Sequence, residues 1–337
     1  MEFRTIVDIP DPGFRIEPCE EMLFVGSCFA TEIGRRFQEE KFRAVVNPYG
    51  VMYNPASILH TIQRLFLPLC RGSQRGSDPP HNSFAQTTPS PSYSGGEEVT
   101  YKTVFLTLGT NHVYRLKETG EIVDNCEKRS QLLFTEEELS VEACADYLQQ
   151  AITLLREKNP DVRIVLTVSP IRYRKYGYHA SQLSKATLLL AMERLLLPLS
   201  SCVPSVASGK PSGGSQRGSD PPHDFLAQTT PNPSYSGGEG IAYFPAYEIV
   251  NDELRDYRFY KPDMLHPSDQ AVEYIWQRLS ETYLSDEAKA FIQEWAPLKA
   301  ALNHKPFDAE SEEYKAFMHK TMLKVEALRK KYPTFAL

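Results

Sequence analysis

Two separated runs hold residue types suited to covalent catalysis on a carbonyl. Gly26-Ser27-Cys28-Phe29-Ala30 follows the apolar residues 22–25 and opens a segment with Phe29, Ile33 and Phe37 at helical spacing. A strand turning into a helix there lifts a small nucleophile above a sheet edge, where the unpaired N–H groups of the helix start favour negative charge. Asp263-Met264-Leu265-His266 lies just before a helix that Pro267 and Ser268 begin. Asp263 can bend back to accept from His266 Nδ1–H, which leaves Nε2 free to take a nucleophile's proton. Cys28 and Ser27 both remain open as that nucleophile. A thiolate gains more than an alkoxide from a helix dipole and a nearby imidazolium, whereas serine needs full general-base help at the moment of attack. Without its companions, Cys28 would read as an ordinary space-filling thiol.

A third run, Gly109-Thr110-Asn111, follows the apolar residues 104–108 and also falls at a strand end. Gly109 and the loop histidine His112 are expected substrate contacts. Arg172, Arg174 and Lys175, interleaved with Tyr173, Tyr176 and Tyr178, follow the β-branched run 162–168 and offer a grip on an anionic substrate. No His/Cys/Glu set has metal-ligand spacing, and no phosphate-cradling glycine loop follows a strand. The expectation is therefore a site with no cofactor and no metal.

Strand and helix alternate along the chain in a way that would hold these runs on one edge. Residues 22–25, 42–46, 103–108, 162–168 and 241–244 read as strands; 30–40, 55–66, 140–158, 182–197 and 268–283 read as helices. This pattern predicts an α/β fold, a three-layer sandwich around a central parallel sheet. Ligands of such sheets bind at the carboxyl ends of the strands. Beyond residue 285 the chain reads as a helical extension, with a stripe of Tyr314, Phe317, Met318, Val325 and Leu328.

A duplication interrupts the pattern. Residues 73–97 and 215–239 differ at four positions and are rich in Pro, Gly, Ser and Thr. Such segments bury too little surface to offset their ordering entropy, so mobile insertions are expected at about 70–98 and 199–240. The organisation predicted is a domain over 1–284, carrying both insertions, and the extension over 285–337. With 24% charged and 41% apolar residues and a net charge of −6, the composition is that of a globular protein without a basic face for nucleic acid. The start of the chain has no signal-peptide core, no stretch is long enough to span a bilayer, and the six cysteines lack paired C-x-x-C spacing. A cytoplasmic protein with reduced thiols and no membrane partner is expected.

The Gly-Ser-Cys-Phe-Ala string resembles the signature of the GSCFA family, a bacterial group within the SGNH (GDSL-like) hydrolase superfamily. The similarity extends through Asn47-Pro48-Tyr49-Gly50, Thr167-Val168-Ser169-Pro170, Ser184-Lys185-Ala186, and the stretch from Tyr243-Phe244-Pro245 to Asp263-Met264-Leu265-His266-Pro267. That superfamily presents Gly-Asp-Ser at the first strand end, a glycine after the second, Gly-x-Asn after the third and Asp-x-x-His near the end. The resemblance implies that Gly50 and Asn111 are oxyanion donors, each such donor lowering the barrier by about 3 kcal/mol, and that Asp263 and His266 are orienter and base. Matched without a gap, Cys28 takes the place of the nucleophilic serine and Ser27 that of the aspartate; a shift of one residue restores Ser27. The function implied is an esterase or O-acyltransferase working through an acyl-enzyme on a small acyl ester, with a carbohydrate ester among the candidates. The alternative is a non-catalytic binding protein that retains the fold.

Overall fold

Alternate residues of the first strand face opposite ways: Leu23 and Val25 enter one apolar cluster, Met22 and Phe24 the other, and all four are fully buried. Burial on both faces marks a parallel strand inside a layered fold. The computed structural model describes residues 4–66, 100–196, 236–237 and 240–335, so the expected mobile insertions lie almost wholly outside the described residues.

In chain order the strands are β1 (Glu21–Gly26), β2 (Arg43–Val46), β3 (Thr103–Leu108), β4 (His112–Leu116), β5 (Phe134–Glu138), β6 (Arg163–Val168), β7 (Ser236–Gly237) and β8 (Ile241–Tyr243). The helices are α1 (Cys28–Glu39), α2 (Pro55–Phe66), α3 (Val141–Lys158), α4 (Gly177–Leu196), α5 (Ala246–Glu248), α6 (Asp269–Tyr283), α7 (Asp286–Leu302) and α8 (Glu312–Lys331). The main sheet has the order β2-β1-β3-β6-β8-β7, parallel except for the short antiparallel β7. Helices α2, α3 and α4 cover one face through residues such as Ile58, Leu148 and Leu188. Helices α1 and α6 cover the other through Phe29, Ile33, Ile275 and Trp276. This is the predicted three-layer α/β arrangement.

Two features position the site. From β1 the chain goes to β2 on one side, whereas β3 adds on the other, so the carboxyl ends of β1 and β3 border a crevice at the switch point of the sheet. At the end of β1, Gly26 has φ +148 and pairs with Thr107; a Cβ there would stand 2.1 Å from the Thr107 carbonyl oxygen. Only glycine lets the chain pass this close to β3 before it turns into α1.

The antiparallel ribbon β4–β5, in which His112 pairs with Glu138 and Leu116 with Phe134, was not predicted. Its second strand carries Glu136, Glu137 and Glu138 and has mostly exposed side chains, so no apolar alternation announces it. Helices α7 and α8 bury Phe291, Trp295, Val325 and Leu328 in a cluster of their own, and Trp295 Nε1 donates to the Glu39 carbonyl of α1 at 3.0 Å. Phe317, expected in that stripe, is 43% exposed, so the extension uses only the later part of its apolar face.

Candidate active site

Ser27 and Cys28 have different tasks at the strand-to-helix turn. Ser27 is the N-cap of α1: its backbone is extended and its Oγ accepts from Phe29 N–H at 3.3 Å, with the residue 1% exposed. Cys28 is the first helical residue, a free and partly exposed thiol whose Sγ lies 3.7 Å from the Tyr53 hydroxyl. Among the described residues nothing accepts the Cys28 N–H, as helix geometry dictates for this position. Ser27→Ala is expected to lower stability by about 1 kcal/mol through loss of the cap, measurable by urea unfolding.

Tyr53 belongs to the loop after β2, which is stapled to both strand ends. Its carbonyl accepts from Gly109 N–H at 2.8 Å and Thr110 N–H at 2.9 Å, while Met52 N–H donates to the Gly26 carbonyl at 2.9 Å. Asn47 completes the corner by accepting from Gly26 N–H and donating to Thr31 Oγ1, both at 2.9 Å. Burial pushes the Tyr53 phenol well above its ordinary pKa, with the neighbouring Cys28 adding to the shift, so Tyr53 stays protonated and able to donate.

Asp263 and His266 are joined as expected. Asp263 Oδ2 lies 2.6 Å from His266 Nδ1, and Oδ1 accepts from Leu265 N–H at 2.8 Å and His266 N–H at 3.0 Å. These two backbone donors, then the His266 ring, hold the Asp263 carboxyl down at about 2. The carboxylate therefore requires the proton on Nδ1 and leaves Nε2 as the free ring nitrogen. The pair sits on a short turn closed by Lys261 N–H to the His266 carbonyl at 2.7 Å. Lys261 Nζ reaches Glu32 on α1 at 3.3 Å, one helical turn beyond Cys28 on the same face, so the loop is tied to the helix that carries the thiol. Because the Asp263 pKa is depressed on folding, its contribution is present above about pH 4 and fades as pH falls through about 2. A carboxyl-carbon NMR titration of Asp263 is expected to inflect near that lower value.

The two implied oxyanion donors, Gly50 and Asn111, each donate within the fold. Gly50 borders the cleft with φ +92, but its N–H is turned back to the Asn47 carbonyl at 2.9 Å. Asn111 is 2% exposed, and its side-chain amide donates to the Leu139 carbonyl at 2.8 Å, fixing the start of α3. Gly109 is bonded within the fold as well: its N–H donates to the Tyr53 carbonyl and its carbonyl accepts from Lys185 Nζ at 2.7 Å. Arg172, expected to bind substrate, donates to the Met264 carbonyl at 3.3 Å.

His112 does line the cleft, a cavity of about 850 Å³ bordered also by Tyr49, Tyr53, Thr110, Tyr173 and Tyr176. Its ring stacks on Tyr176 at 4.0 Å. Burial lowers the His112 pKa against the opposing pull of Glu138 and Glu136, leaving a neutral imidazole as part of the wall. Lys185, on the buried face of α4, was given no role by its sequence motif, as Tyr53 was not: it is 2% exposed and donates to the carbonyls of Gly109 and Ser169 at 2.7 and 2.8 Å. The signal was present, since Ser181, Ser184, Lys185, Leu188 and Met192 share one helical face. Among the described residues no cluster of His, Cys, Asp and Glu could hold a metal ion, and no helix is long and apolar enough to cross a membrane.

A search of the curated proteins gives no match. A solved structure from Streptococcus pneumonia, provisionally described as a platelet activating factor, aligns at 14% identity over 79% of this chain and 84% of its own, with a TM-score of 0.39. That likeness is too slight to bear on function. The model of the GSCFA family matches residues 21–203 and 233–279, and that of the C-terminal domain of GSCFA domain proteins matches 295–337. The first match takes in the Cys28 turn, the β3 edge and the Asp263–His266 loop together, and with it the chain belongs to the GSCFA family.

Proposed function

We propose that this chain is an SGNH-like esterase or O-acyltransferase that works through a thioester on Cys28. The observation that carries this reading is the contrast at the first turn: Ser27 is spent as a buried cap, while the Cys28 thiol is accessible beside a protonated phenol. In the reaction, His266 Nε2, oriented by Asp263, takes the proton of the Cys28 thiol; the thiolate attacks the acyl carbonyl, and the same nitrogen passes that proton to the departing alkoxide as the carbon–oxygen bond breaks. Water or a second hydroxyl, deprotonated by the same nitrogen, then attacks the thioester and restores the thiol. The Cys28 N–H and the Tyr53 hydroxyl serve as oxyanion donors in place of Gly50 and Asn111.

The cavity beside Tyr53 receives the alcohol half of the ester. Its tyrosine-rich wall offers flat apolar faces with polar rims, a lining suited to a polyhydroxylated ring such as a sugar. Incubation with an activated acetyl ester, followed by peptide mass mapping, is expected to find the acetyl group on Cys28. Label on Ser27 would overturn the assignment of the nucleophile. Absence of any acyl-enzyme, with iodoacetamide also ignored by Cys28, would favour a binding protein that retains the fold.

A further inference from the structure

Arg172 is buried in neither the core nor the cleft, yet its side chain and its backbone N–H both bond one short turn. Its guanidinium lies over the rings of Tyr178, Tyr260 and Tyr257 at 4.3, 5.5 and 5.9 Å, a cage that fixes a long side chain. From there Nη1 donates to the Met264 carbonyl at 3.3 Å, and the Arg172 backbone N–H donates to the next carbonyl, Leu265, at 3.0 Å. Met264 has φ +57, a left-handed conformation that a residue with a Cβ adopts only when its surroundings impose it. Met264 is 42% exposed, so side-chain packing does not supply that restraint. Asp263 and His266 flank Met264 and Leu265.

We infer that Arg172 is a positioning residue: it holds Met264 in its left-handed turn and thereby keeps His266 and Asp263 in register with each other and with α1. The backbone N–H of residue 172 holds the Leu265 carbonyl whatever its side chain, and the guanidinium adds the neighbouring Met264 carbonyl, so the side chain supplies the second of the two bonds that together orient the peptide between them. Lys261, bonded to Glu32, anchors the other stem of the turn. The role rests on the acyl-transfer reading for its catalytic consequence, but its structural half stands without it.

The test uses the full chain carrying Arg172→Ala, Arg172→Lys, and Arg172→Ala combined with Met264→Gly. Hydrogen exchange over residues 259–268 is expected to accelerate about tenfold in Arg172→Ala, the shift in population that a left-handed residue with a side chain costs. Turnover of an activated acetyl ester is expected to lose about tenfold in kcat with KM within twofold. Arg172→Lys, which keeps the charge but not the planar fork, falls between. Glycine at 264 has no left-handed penalty, so the double variant recovers most of both losses. A rise in KM with kcat intact would make Arg172 a substrate contact and overturn the inference. So would unchanged exchange, or a double variant no better than Arg172→Ala. If the wild-type chain forms no acyl-enzyme, the acyl-transfer reading fails, and the exchange measurement with its glycine rescue still decides the positioning role.

Discussion

Cys28→Ala is expected to lower kcat/KM for an activated acetyl ester by about 10⁴-fold or more, because removing a nucleophile leaves only binding and oxyanion stabilisation. Stability should change by less than about 0.5 kcal/mol: Cys28 is a partly exposed first helical residue, and alanine suits a helix at least as well. Cys28→Ser keeps a nucleophile of the same shape but gives up the acidity and softness of sulfur, so it should retain a trace of turnover and form a stable ester. Ser27→Ala should keep turnover within a fewfold despite its lost cap. Initial rates of ester turnover and urea unfolding of the wild type and the three variants check the activity and stability, and intact-mass spectrometry after a short exposure to the ester reads the adducts. An acetyl adduct of undiminished yield on Cys28→Ala would sink the assignment.

Much of this geometry was legible in the chain because it depends on local patterns. A β-branched run such as 162–168 buries both faces and must be a central strand, and Gly26-Ser27-Cys28 encodes strand end, cap and helix start in three residues. The Asp263–His266 pair was legible for the same reason, since residues three apart in a tight loop have few ways to point. Tyr53 and the bond from Arg172 to Met264 were not, because each acts through a partner more than twenty residues away in sequence. Asn111 was legible only in part. Its position at a strand end was read correctly, but the direction of its amide was decided by Leu139 at the head of α3, a neighbour that only the folded chain supplies.

Lys185 offers the largest effect on stability. Its ammonium is fully enclosed between the ends of β3 and β6, and burial alone pulls its pKa from the usual value down to about 7. As a neutral amine it has two N–H groups for two carbonyls, Gly109 and Ser169, and nothing left over. Protonation adds a third donor whose sole compensation among the described residues is the Tyr247 ring at 5.9 Å. In the unfolded chain the same lysine titrates near 10.4. Between about pH 7 and 10 the unfolded state therefore binds one proton more than the folded state, and stability rises with pH by about 1.4 kcal/mol per unit. Lys185→Met abolishes that linkage and strands two buried carbonyls, at about 1 to 3 kcal/mol each. The variant should thus be clearly destabilised at pH 9, by about 2 to 3 kcal/mol more than at pH 6, since the wild type loses its advantage as the amine becomes charged. Urea unfolding of both proteins at the two pH values measures the difference. A gap that stays flat with pH would mean that Lys185 keeps its charge in the fold, and the two strand ends would then be clamped by an ammonium.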